Sequence, residues 1–274
     1  MKTHPALGAM LGALTLPAAA GPAEDAVVAA MRLSEESGYR WVTTVIDDAR
    51  TYEIAGRTGR DGFSRVTMPA VNALRRRLGR SVTETHVAFI FRGNVDCVVE
   101  TDTGWRRPDE LADAPGDVAA ARPPSSAVPG GGLPAPRSRR TQAGTERPAY
   151  SNLQPGLSLP HQELGVIVAS HDGPLGFEDG TITGTLSETG ARLLLVRDGQ
   201  EAIAPLRATG SFKLWRRGGH IVRYRVTLHG ALAIRVSGGT RTVEVNQTSE
   251  TFVSDVGTTV VEVPPDARAR LGGG

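Results

Sequence analysis

Ile221-Val-Arg-Tyr-Arg-Val-Thr-Leu-His-Gly-Ala-Leu-Ala-Ile-Arg-Val236 is the stretch that decides the fold. Val222, Tyr224, Val226 and Leu228 alternate with Arg223, Arg225 and Thr227. A period of two puts the apolar side chains on one face of a strand and the polar ones on the other. Gly230 interrupts the run, Leu232, Ile234 and Val236 resume it, and Gly238-Gly239 supplies a turn before Val243 and Val245. Working outward, Phe212 to Pro264 reads as one antiparallel ladder. Long strands with an apolar face need cover, which a helix, a second sheet or a bound ligand could each supply.

Upstream, Glu24 to Glu36 reads as an amphipathic helix with Val27, Val28, Met31 and Ala30 inward, ended by Gly38. Tyr39 to Ile46, Thr51 to Arg57 and Phe63 to Met68 follow as strands rich in β-branched and aromatic residues. Pro69 opens an expected helix through Arg80, with Val71, Leu74 and Leu78 on one stripe. Thr85 to Phe91 and Val95 to Glu100 are two more strands, joined through Arg92-Gly93-Asn94, and Asp102-Thr-Gly104 turns ahead of Trp105. Pro108 to Asp113 reads as a helical turn.

The chain then changes character. Residues 114–150 are rich in Pro, Gly, Ser and Arg and poor in large apolar side chains, so they are expected to form a disordered linker. Structure is expected to resume with a helix from Pro160, its apolar side made by Leu164, Val166, Ile167 and Val168. A strand over Gly180 to Leu186 comes next, then a helix over Ala191 to Leu195 with Ser187 as N-cap.

Residues 1–20 have the parts of a secretory signal peptide: Lys2, an apolar run Ala6 to Leu16, and Ala18-Ala19-Ala20 at the cleavage point. No cysteine sits at that point, so a soluble periplasmic or secreted protein is expected, cut near Ala20. The sole cysteine, Cys97, sits in an apolar run and reads as a buried small hydrophobe. The formal net charge is only +2, and the arginine clusters at Arg75-Arg76-Arg77 and Arg137 to Arg140 lack interleaved aromatics. No nucleic-acid partner is expected.

Nor does the sequence carry catalytic spacing. None of the six histidines stands in His-Glu-x-x-His or a Cys/His metal pattern, and no Gly-x-Ser-x-Gly is present. Asp47-Asp48 and Asp109-Glu110 are adjacent carboxylates of the kind that sit at strand ends and caps. We expect no enzyme activity, no cofactor and no metal site, although a hydrolase assembled from distant residues would leave no local trace.

Several phrases resemble exported bacterial proteins of the LolA/LppX-like lipoprotein-carrier and lipid-binding superfamily. They are Leu159 to Leu164, Gly180 to Ala191, Ser211 to Trp215, and Ser254 to Ala267. The resemblance implies an α+β fold: a strongly curved antiparallel sheet, an incomplete barrel, with helices packed on the concave side. It makes residues 21–113 and 151–274 the two halves of one half-barrel. It further implies an apolar cavity for the acyl chains of a lipid or acylated lipoprotein, with a membrane or envelope protein as a further partner. The candidate lining is Trp41, Phe89, Phe91, Phe212, Trp215, Tyr224, Leu228 and Ile234. The alternative is a non-catalytic envelope interaction module whose cavity is filled by its own side chains.

Overall fold

The computed structural model describes residues 21–35, 38–48, 50–69, 86–93, 96–108, 110–111, 158–196, 203–236 and 239–272. The expected signal peptide, the body of the helix expected after Pro69 and the linker at 114–150 lie outside these residues.

The ladder that opened the sequence forms three long strands, β9 (Ile203–Arg217), β10 (His220–Val236) and β11 (Gly239–Ser254). Gly230 does not break β10. Its missing side chain leaves room for Leu195 and for the Arg207 carbonyl, both within 2.7 Å of where a Cβ would stand. The other strands are β1 (Tyr39–Asp47), β2 (Thr51–Thr58), β3 (Phe63–Pro69), β4 (His86–Arg92), β5 (Asp96–Thr101), β6 (Gly104–Arg106), β7 (His171–Glu178) and β8 (Thr181–Leu186). Pro69 therefore closes β3 opposite His86.

All eleven strands form one sheet in the order β6-β5-β4-β3-β2-β1-β11-β10-β9-β8-β7. Each neighbour pair is antiparallel, so two meanders, β1–β6 and β7–β11, join edge to edge through β1 and β11. The sheet is not closed into a barrel, since β6 and β7 remain as its edges. β7 has no counterpart in the sequence reading. Its Gly173, Pro174 and Gly176 weaken the strand signal, and an edge position tolerates them because one side of the strand donates to no neighbour.

The register sorts side chains onto two faces. On the inner face one row crosses six strands: Ile54, Thr43, Thr251, Tyr224, Leu214 and Ile182. All six are buried. Three helices close this face: α1 (Pro22–Glu35), α2 (Pro160–Ala169) and α3 (Glu188–Leu195). They pack on one another and on β7 to β10. Ser187 caps α3 as expected, its Oγ accepting from the Gly190 N–H at 3.2 Å.

The orientation of α1 corrects the sequence reading. Ala26, Ala29, Ala30 and Leu33 are its buried residues, while Val27, Val28 and Met31 are exposed. Because α1 lies directly against α2, the contact favours methyl-sized side chains, and close approach outweighs the larger hydrophobes.

The outer face has a separate core. A short C-terminal helix, α4 (Pro265–Arg270), brings Ala267 and the following Leu271 onto Phe63, Ala88, Ile90, Val98 and Trp105. In β4 the alternation is complete, with Val87, Phe89 and Phe91 in the inner core and Ala88 and Ile90 in the outer one. So α1 to α3 share one face and α4 occupies the other. The segment leading to α4 crosses Gly38, whose carbonyl accepts from the Gly257 N–H at 2.7 Å. Gly38 has φ +97° and passes so near the Thr259 carbonyl that a side chain has no room.

Candidate functional site

The inner face gathers most of the predicted lining residues. Trp41, Phe89, Phe91, Phe212, Tyr224 and Leu228 all belong to its core. Phe89 and Phe91 stack at 6.1 Å on β4, and Val87, Cys97 and Val99 extend the same apolar band. Ile234 lies near the distal end of β10 and is half-buried.

Trp215 is placed elsewhere. It pairs with Arg223 on the outer face, and the Arg223 guanidinium stands 4.3 Å from its ring centre. Phe212 and Trp215 are three positions apart on one strand, which sends them to opposite faces. The strand period therefore argued against grouping them.

Within the apolar wall lies a buried polar cluster that the sequence reading missed. Tyr224 is fully buried, and its hydroxyl donates to Glu163 Oε2 at 2.7 Å. Tyr39 Oη meets His161 Nδ1 at 2.6 Å. Thr43 and Thr251, partners across the β1/β11 seam, share a hydroxyl hydrogen bond of 2.7 Å. His161 and Glu163 stand in the first turn of α2, so both polar contacts fasten that turn to the sheet. Their spacing in sequence, 122 and 61 residues from their tyrosine partners, leaves no local signal.

Electrostatics follow from this setting. Burial pushes the Tyr39 hydroxyl up to about 12, against hydrogen bonds with Thr58 and His161 that work the other way. Burial and the nearby Glu163 push Tyr224 well above the ordinary tyrosine range. Burial lowers His161 below the usual imidazole value, keeping the ring neutral. The carboxylate is thus met by a hydroxyl donor and the imidazole by another. Such a mutually satisfied set can anchor a helix without offering an unoccupied acid or base.

Among the described residues, several buried side-chain nitrogens have no hydrogen-bond partner, the Nε atoms of Arg192 and Arg216 among them. The indole Nε1 of Trp41 is buried and makes no hydrogen bond. Trp41 lies flat over Gly56, its cross-strand neighbour, where any side chain would collide with the indole. Glycine at that position sets the ring against the β2 backbone. An unpaired buried N–H costs about 1–3 kcal/mol and calls for a reason.

Among the described residues, no group of three or more His, Cys, Asp or Glu side chains could hold a metal ion, and no helix is long and apolar enough to cross a membrane. No protein family and no curated protein matches the chain by sequence. Solved structures do resemble it. LprF from Mycobacterium bovis is 10% identical with a TM-score of 0.42, over 89% of this chain and 96% of its own. The Mycobacterium tuberculosis lipoprotein LppX is 12% identical with a TM-score of 0.36, over 86% and 95% respectively. A LolA superfamily protein from Nitrosomonas europaea is 9% identical with a TM-score of 0.27, over 90% and 97%. The chain is thus similar to LolA/LppX-like structures along most of its length, at no more than 12% identity to these three.

Proposed function

We propose that the protein is an exported, non-catalytic carrier that holds the acyl chain of a lipid or acylated lipoprotein against the inner face of its sheet. The observation that carries this reading is the unpaired indole N–H of Trp41, set among the buried apolar side chains of the inner face. A ligand that would satisfy it is mostly hydrocarbon and carries an acceptor oxygen, as an ester-linked chain does. Phe89 stands in the same cross-strand row as Trp41, through Gly56 and Val66, and would flank such a chain. Burial gains about 0.8 kcal/mol per methylene, so a sixteen-carbon chain gains on the order of 12 kcal/mol before ordering costs. That driving force needs no charged apparatus, and the acid and imidazole of the inner face are already engaged by tyrosines.

A second reading, an envelope interaction module with a filled core, has its own support. Phe212, Leu214, Tyr224 and Leu228 are buried by side chains in the half of the sheet that α1 to α3 cover. In that reading the β7–β11 half is structural throughout.

Native mass spectrometry with organic extraction, on protein purified from the exported compartment of a bacterial host, separates the two. The carrier predicts a bound acylated species whose affinity falls about three- to tenfold in Trp41→Phe, where the ring remains and the donor is lost. A clean apo mass, with no uptake of a fluorescent fatty acid, sinks the carrier and leaves the filled module.

A further inference from the structure

Opposite the apolar wall, on the outer face of the same strands, three arginines stand in one cross-strand row. Arg40 on β1 is the register partner of Arg57 on β2, and Arg57 is the partner of Arg65 on β3. Neighbouring strands lie about 4.8 Å apart, so three like charges are packed side by side, an arrangement that weakens a sheet unless something offsets it. All three side chains are exposed. Arg40 reaches Asp255 at 3.5 Å. Among the described residues, neither Arg57 nor Arg65 makes an ion pair.

The row forms part of the wall of a groove of about 620 Å³. Two residues along the same strands, and so about 7 Å away, runs a second row of Ala55, Val42 and Phe252, all lining that groove. Phe252 is 48% exposed, and Val260, on the segment that forms the far wall, is 74% exposed. Among the described residues, Glu262 on that segment is the one carboxylate of the lining. With Asp255 and Glu262 set against the three arginines, one positive charge is left over.

We propose that this groove binds a singly charged anionic amphiphile, its carboxylate or phosphodiester head on the arginine row and its apolar tail along Phe252, Val42 and Ala55. The guanidinium fork matches either oxyanion, and the flanking apolar row supplies what a free anion could not use. The arginine, Val42 and Phe252 side chains alternate with those of the carrier surface along the same strands, and Trp41 and Gly56 border the groove as well.

Titration calorimetry of the whole mature chain tests it with three probes: dodecanoate below its micelle concentration, the same chain on an uncharged maltoside, and inorganic phosphate. Dodecanoate is expected to show an arginine-dependent component of one molecule per chain, which weakens about tenfold or more, with loss of salt sensitivity, in the double variant Arg57→Gln/Arg65→Gln. Phe252→Ser should weaken dodecanoate as well, while Tyr224→Phe, on the inner face and outside the groove lining, should leave the arginine-dependent component unchanged. The maltoside should not respond to the arginine pair. Unchanged dodecanoate affinity in the double variant overturns the proposal, whatever Trp41→Phe does to the carrier reading. Phosphate binding as tightly as dodecanoate overturns it too, since the apolar row would then play no part. Sedimentation showing a dimer that the double variant dissociates would assign the groove to a second copy instead. Both arginines are exposed, so circular dichroism should show both variants folded.

Discussion

The two faces of the central strands are built from alternate residues of the same sequence, yet they solve opposite problems. On the inner face, polar groups are few, buried and matched across long sequence separations: Glu163 with Tyr224, His161 with Tyr39, Thr43 with Thr251. On the outer face, charges are many and exposed, and matching is uneven. Glu250 is held by Arg223 and Arg225 at 2.5 and 3.1 Å, while the row from Arg40 to Arg65 gathers like charges. Burial works to raise the Glu250 carboxyl, and the two arginines overcome it, holding it below the ordinary carboxylate range. A pairing that is nearly compulsory inside is optional outside, because water substitutes for a missing partner only at the surface.

Substitutions can break this contrast, and the largest effect should come from the inner wall. Phe89→Ala should destabilise the chain by about 3–5 kcal/mol in urea unfolding, because Phe89 is buried against Phe91 and its removal leaves a cavity. A loss under about 1 kcal/mol would mean that the band is loosely packed. Tyr224→Phe is next, at about 1–3 kcal/mol, since it strips Glu163 of its donor; adding Glu163→Gln should recover part of that loss in a double-mutant cycle.

Titration sharpens the comparison without mutation. Tyr39 has a folded-state value raised to about 12, so its contribution is complete below pH 10 and is lost as pH rises from 10 through about 12. Tyr224 shifts in the same direction, and Tyr224→Phe should flatten the alkaline decline. His161 has a lowered value, so its contribution is present above the unfolded value of 6.5 and is lost as pH falls below it through the folded one. Stability followed by chemical denaturation across pH 4–12 would check all three signs. The smallest effect belongs to the outer face: Arg57→Gln/Arg65→Gln should change stability by no more than about 0.5 kcal/mol, in the stabilising direction, as read from Tm.

Much of the sheet was legible because strand alternation is a local signal. β1 to β5, β8 and β10 follow from it within a few residues, whereas β9 begins at Ile203, well ahead of the expected Phe212, and β11 ends at Ser254, short of Pro264. What escaped depended on neighbours far away in sequence. Which side of α1 faces inward is set by its closeness to α2, so Ala26 and Ala29 join the expected Ala30 in the core where Val28 and Met31 were expected. β7 survives with proline and glycine only because it is an edge. Glu163 gave no sign of burial, since its partner arrives from β10. Trp215 is the reverse case: strand parity was sufficient to separate it from Phe212, and aromatic character overrode that signal.

The β1/β11 seam bears on the order in which the protein can be made. Thr43 and Thr251, which meet there, are 208 residues apart. The N-terminal meander therefore waits, with the edge of β1 unpaired, until the last long strand has been synthesised. Closing so distant a pair is slow compared with forming local hairpins, and an open strand edge is a site for wrong partners in the interval. A nascent chain of this design cannot complete its sheet early, because the strand that joins the two meanders is the last of the eleven to be made.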